Sequence, residues 1–186
     1  MDKRLLKIKL LAMDVDGTLT DGSMIFYNNE QIKSFNVMDG LGIRIAMNHG
    51  LDIAWVTGNV SKAVGERAKT LGVVDVYQGS RFKTDAIKQI ALDHNIELDE
   101  IAYIGDDLND LPAYNVAGFS FAVSNAAGEL KCRADMITEH GGGNGAVREA
   151  VEVILKAQGQ WDAAVNSFLE ELKEEDAGKA GPEAVA

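Results

Sequence analysis

Five short apolar runs, near Leu10, Ile53, Val74, Ile101 and Phe121, alternate along the chain with segments of helical spacing. Those segments lie near Asp39 to Asn48, Ser61 to Thr70, Lys83 to Asp93, Asn109 to Tyr114 and Ala146 to Lys156. This alternation constrains the fold more than any other feature. Strands separated by helices pair in parallel, and the intervening helices cover both faces of the sheet. The expected class is therefore α/β. One stretch departs from the rhythm: Met24 to Phe35 carries two β-rich runs around Asn28-Asn29, which reads as a hairpin over about 22–36. A length of 186 residues fits one domain, expected over 1–172, with no room for a second.

In a parallel sheet, ligands bind beyond the carboxyl ends of the strands, so the residues that follow each apolar run are the candidates for chemistry. The first run, Ile8 to Met13, leads into Asp14-Val15-Asp16-Gly17-Thr18-Leu19-Thr20, with two carboxylates one residue apart and a glycine that permits a sharp turn. The run Ile53 to Val56 ends at Thr57-Gly58. Lys83 opens the third helical segment, where a cation opposes the helix dipole and points to a bound anion. Ile101 to Ile104 runs into Gly105-Asp106-Asp107-Leu108-Asn109-Asp110. Singly, each has an ordinary reading, since aspartates cap turns and helices and most lysines are solvated. A calcium-binding EF-hand fails on spacing, because Gly17 comes too early and Ile25 stands where the bidentate glutamate is needed. Gly141-Gly142-Gly143-Asn144-Gly145 is no nucleotide P-loop, since no Lys-Ser/Thr follows it.

In this order, the four segments resemble the haloacid dehalogenase superfamily of phosphohydrolases. Asp21-Gly22, Phe35-Asn36-Val37, Asp39-Gly40, Gly42-Ile43-Arg44, Arg67, Leu71-Gly72, Tyr77-Gln78-Gly79 and Gly145 to Glu149 narrow the likeness to its 3-deoxy-D-manno-octulosonate 8-phosphate phosphatases, from about Ile8 to Gly159. The resemblance implies a Rossmann-like parallel sheet with a small hairpin flap and no cap domain. It also implies magnesium-dependent hydrolysis of the octulosonate 8-phosphate through an aspartyl-phosphate, a step toward lipopolysaccharide precursors. Asp14 would be the nucleophile and Asp16 the acid and base, while Thr57 and Lys83 hold the transferring phosphoryl group. Magnesium would sit on Asp14, Asp106 and the backbone carbonyl of Asp16, with Asp107 and Asp110 orienting its shell. Asp16, Asn36, Asp39, Gly40, Arg44, Asn59, Arg67 and Lys83 would contact the sugar acid or shape its pocket. The two arginines suit a carboxylate, which guanidinium pairs bidentately.

Asn59 departs from the pattern, since these phosphatases usually carry arginine directly after Thr-Gly. The related nonulosonate 9-phosphate phosphatases usually carry glutamate there, so that substrate, or another small sugar phosphate, is the alternative. A non-catalytic oligomerisation module is disfavoured by the presence of Asp14, Asp16, Thr57, Lys83 and Asp106 together.

A net charge of −11 without a basic stripe argues against nucleic acid and anionic membranes. No stretch approaches the roughly 18 apolar residues of a membrane span. Cys132 is the only cysteine, so no internal disulfide forms, and a cytoplasmic enzyme of small substrates is expected. Trp161, Val165, Phe168, Leu169 and Leu172 form an apolar stripe on a helical tail over about 160–172, which must bury against its own domain or a neighbour. The resemblance implies a homotetramer in which that tail covers a neighbouring site. Residues 173–186 lack periodicity and read as disordered.

Overall fold

The computed structural model describes residues 2–28 and 30–179. After a short 3-10 turn (Lys3–Lys7) come β1 (Leu10–Met13), a hairpin of β2 (Ile25–Tyr27) and β3 (Glu30–Ile32), and α1 (Val37–Asn48). Next follow β4 (Asp52–Thr57), α2 (Lys62–Leu71), β5 (Asp75–Gln78), α3 (Lys83–His94), β6 (Ile101–Gly105), α4 (Leu111–Tyr114) and β7 (Phe119–Ala122). The chain closes with α5 (Gly128–Lys131), β8 (Met136–Ile137), α6 (Ala146–Ala157) and α7 (Trp161–Lys179).

Six strands form one sheet in the order β5-β4-β1-β6-β7-β8, every neighbouring pair parallel. The chain starts at the centre, steps outward to β5, then returns past β1 and steps outward the other way. This reversal opens a crevice beyond the carboxyl ends of β1, β4 and β6. Apart from Asp52, every residue of β1, β4, β6 and β7 is buried, so these strands show no inside-outside alternation. Such strands are stable only when both faces are covered, which is what selects the parallel arrangement. Two groups of helices supply the cover: α1 packs with α2, α6 and α7, and α3 packs with α4. Trp55, Tyr103, Phe121, Leu10 and Leu11 fill the core, each leucine contributing roughly 1.5–3 kcal/mol by its burial.

The expected α/β sheet and hairpin are present, with no cap domain among the described residues. Strand β5 begins at Asp75, leaving Val74 87% exposed rather than inside the strand. The hairpin strands pair antiparallel as expected; Asn28 has φ +48°, and Asn29 lies outside the described residues. Two elements absent from the sequence reading, β8 and α5, span two and four residues and are too short to show periodicity.

The tail corrects one expectation. Helix α7 continues to Lys179, so 173–179 are helical rather than disordered, and 180–186 lie outside the described residues. No apolar stripe is needed there, because Glu, Lys and Ala are intrinsically good helix formers. The first turns of α7 pack on their own domain. Ala164 is buried, Phe168 packs on the core, and Trp161 lies under the cations of Arg148 and Lys156 at 5.0 and 5.5 Å.

Candidate active site

Asp14 directly follows β1, and its amide extends the ladder to the Ile104 carbonyl at 3.0 Å. The chain then turns tightly, with the amides of Thr18, Leu19 and Thr20 all donating to the Val15 carbonyl. The Thr20 hydroxyl clasps the turn by accepting from the amides of Gly17 and Gly22, both at 3.3 Å. Gly17 has φ +99°, and a Cβ on it would lie 2.0 Å from Asp106 Oδ2. Conformation and space both require glycine there.

Lys83, the first residue of α3, is buried with its ammonium 2.7 Å from Asp14 Oδ1 and also donating to Asp110 Oδ1. Asp110 is fully buried and accepts further bonds from the Tyr103 hydroxyl at 2.8 Å and the amides of Asp106 and Asp107 at 2.9 and 3.2 Å. Carboxylate oxygens of Asp14, Asp106 and Asp110 gather within 4.8 Å of one another. Three carboxylates therefore face one ammonium.

The charge balance shows in the proton affinities. Burial, then the charges of Asp14 and Asp110, pushes Asp106 up to about 8. Burial also pushes Asp14 up to about 6, although Lys83 opposes it. Burial pulls the Lys83 ammonium down, but Asp110 and Asp14 outweigh that and raise it, so it stays charged. An excess of buried, hard oxygen donors fits a divalent cation such as magnesium. With Asp110 engaged by four donors, Asp14 and Asp106 are the carboxylates placed to hold it.

Asp16 lies across the turn. Asn59 Nδ2 donates to its Oδ2 at 2.9 Å, and the ammonium of Lys33 donates to its Oδ1. Lys33 directly follows β3, and its side chain is only 1% exposed, so the hairpin delivers a buried cation to the site. A cavity of about 280 Å³ is lined by Asp14, Asp16, Thr57, Asn59 and Lys83. Ser80, Arg81 and Asn109 also face it. Thr57 is buried, and its hydroxyl accepts from the Asn59 amide at 3.2 Å.

Residues 68–150 match the model of the haloacid dehalogenase-like hydrolases. The chain is 44% identical over 158 residues to the 3-deoxy-D-manno-octulosonate 8-phosphate phosphatase of Salmonella typhi, covering 84% of each chain. It is equally similar to that of Escherichia coli K12. A Moraxella catarrhalis octulosonate 8-phosphate phosphatase, crystallised with a magnesium ion, a phosphate ion and KDO, superposes with TM-score 0.86 at 44% identity, covering 89% of this chain and 96% of that one. The cobalt-bound Haemophilus influenzae phosphatase gives 0.84 at 38% identity, covering 86% and 94%. The chain belongs to the octulosonate 8-phosphate phosphatases, within the haloacid dehalogenase-like hydrolases.

Within this family's fold, the residues expected to meet the sugar separate into two groups. Asp16, Asn59 and Lys83 line the cavity. The others do not line it. Asn36 caps α1, accepting from the Met38 amide at 2.7 Å, and donates to the Gly143 carbonyl at 3.2 Å. Asp39 is buried and accepts from the amides of Gly145 at 3.3 Å and Arg148 at 2.9 Å, so its carboxylate caps α6. Gly40 makes room for Arg67, whose Nη2 would lie 2.3 Å from a Cβ there, and the Arg67 guanidinium lies 6.0 Å from the Phe35 ring centre. Arg44 is exposed on α1. Asn36 and Asp39 thus fasten the 141–145 loop, which in turn braces the nucleophile turn: the Gly143 amide donates to the Thr18 carbonyl at 2.9 Å, and a Cβ on Gly142 would lie 1.7 Å from the Gly17 carbonyl oxygen. Lys33, Arg81 and Asn109 escaped the sequence reading of the site.

Proposed function

We propose that this chain is a magnesium-dependent phosphatase that hydrolyses 3-deoxy-D-manno-octulosonate 8-phosphate to the free sugar acid and phosphate. The observation that carries the reading is the buried Asp14 held by Lys83 beside Asp106, in a chain 44% identical to phosphatases of that name. Asp14 attacks phosphorus, forming the aspartyl-phosphate as the bond to the sugar oxygen breaks. Asp16 gives its proton to the departing sugar oxygen. It then takes a proton from water, which attacks phosphorus, releases inorganic phosphate and restores Asp14. Lys83 and Thr57 hold the phosphoryl oxygens and stabilise their charge as the bonds change. Asn59 and Lys33 fix the Asp16 carboxyl at the turn. Magnesium on Asp14, Asp106 and the Asp16 carbonyl supplies a positive charge that offsets repulsion between phosphate and carboxylate, worth about 4 kcal/mol at roughly 4 Å in a partly screened site.

The same reading makes the protein a cytoplasmic homotetramer acting toward lipopolysaccharide precursors. In support, Ile25, Phe26 and Tyr27 are exposed on a two-stranded hairpin, an element that is marginal on its own. Leu169 and Leu172, each nearly half exposed, are the apolar residues of α7 left to reach a neighbouring site. Among the described residues, no helix is long and apolar enough to cross a membrane.

The test is phosphate release from the octulosonate 8-phosphate against a panel that includes a nonulosonate 9-phosphate, with magnesium and with chelator. We expect magnesium-dependent preference for the octulosonate. A preference of about a hundredfold or more in kcat/KM for another ester, roughly 2.7 kcal/mol, overturns the substrate assignment. The neutral Asn59 amide is the feature that makes the nonulosonate worth including.

A further inference from the structure

Two cations line the cavity beside Asp14, and they differ in what already holds them. Lys83 is committed to Asp14 and Asp110. Arg81 is exposed at the mouth and has no acidic partner among the described residues. The turn that carries it is fixed by its backbone. The Gly79 amide donates to the Asn59 carbonyl at 3.1 Å, and the Ser80 amide to the Thr57 carbonyl at 3.0 Å. The Arg81 amide then closes back on the Gly79 carbonyl at 3.1 Å. Arg81 is therefore held beside Asn59, whose neutral amide is taken by Asp16.

A phosphorylated sugar acid brings two anionic groups to a protein of net charge −11. The phosphoryl group finds Lys83, Thr57 and the cation held by the aspartates. The carboxylate finds no charge at Asn59, and Arg44 and Arg67 do not line the cavity. Without a local cation, the surrounding negative field would oppose its entry. We infer that Arg81 binds the substrate carboxylate and sets the preference for acidic over neutral phosphate esters. A guanidinium suits this task because it pairs both carboxylate oxygens and stays charged at any working pH. The inference rests on the octulosonate reading above.

The experiment measures kcat/KM for the octulosonate 8-phosphate and for a neutral pentose 5-phosphate, at saturating magnesium, with the wild type, Arg81→Gln and Arg81→Lys. Arg81→Gln is expected to lower the acid-to-neutral ratio by about tenfold to a hundredfold, the worth of one charged hydrogen-bonded contact, through KM for the acid. Arg81→Lys should recover only part of the ratio. Inhibition by the free sugar acid, which carries no phosphate, reads the same contact, and its Ki should rise in Arg81→Gln. If the wild type prefers the acid and Arg81→Gln keeps both ratio and Ki, the inference fails while the octulosonate reading stands. If the wild type shows no preference for the acid, both fail.

Discussion

At the amino ends of the strands, Lys7 pairs with Asp99 and Lys9 with Glu100, both at 2.7 Å, and His94 bridges Asp52 and Asp75, each at 3.0 Å. At the carboxyl ends, Lys83 is shared between Asp14 and Asp110 in the interior, with Asp106 alongside. The side chains are of the same kinds, and their settings are opposite. Water screens the lysine pairs of the first group, which therefore add little to stability. The second group is desolvated and carries more negative than positive charge, so its members are held there at a cost to stability. One end of the sheet tolerates charge for solubility; the other concentrates it for binding a cation and a phosphate.

The largest break in this comparison comes from the nucleophile. Asp14→Ala should reduce turnover to background while circular dichroism and oligomer size stay as in the wild type; retained turnover would remove Asp14 from its role. The next effect is on stability, and its sign separates the two ends. Because the Asp106 pKa is raised to about 8 in the folded protein, the folded state binds the extra proton, and its stability falls as pH rises from the ordinary carboxylate range through about 8. Asp106→Asn removes that charge. Measured by thermal unfolding at pH 8 in chelator, this variant should melt above the wild type, yet gain less from added magnesium. A lower melting temperature in chelator would mean that the carboxyl-end cluster stabilises the fold like any surface pair.

The smallest effect belongs to the amino end. Burial pulls the His94 imidazole down, but Asp75 and Asp52 outweigh it and raise its pKa. A raised histidine pKa contributes stability that is complete below the ordinary value near 6.5 and is lost as pH rises through the folded value. His94→Gln should therefore cost at most about 0.2–1 kcal/mol, and only on the acidic side. Urea unfolding of both proteins across this range checks it; a deficit that persists at alkaline pH would trace to packing instead.

Much of this arrangement was legible in the sequence because it is local. An apolar run followed by Asp-Val-Asp-Gly-Thr announces a buried strand and a tight acidic turn. The same logic located Thr57, Lys83 and Asp106, each near the end of a strand. What stayed hidden depends on where distant segments meet. Lys33 looks like any hairpin lysine until β3 folds its side chain down to Asp16. Arg81 looks solvated until the backbone joins its turn to Thr57 and Asn59. Asp39 reads as a residue that contacts the sugar acid or shapes its pocket, and the sequence gives no sign that its carboxylate accepts from amides as far as 109 residues away, at the start of α6. No periodicity records such a pairing.

The brace between the 141–145 loop and the nucleophile turn bears on how the enzyme comes into being. Asn36 reaches Gly143 across 107 residues of chain, and contacts of that span form late in folding. The nucleophile leaves the ribosome well before the loop that seats it. A nascent chain that stopped before the 141–145 loop would already contain Asp14, Asp16, Thr57, Lys83 and Asp106, without the brace on the turn that carries the first two.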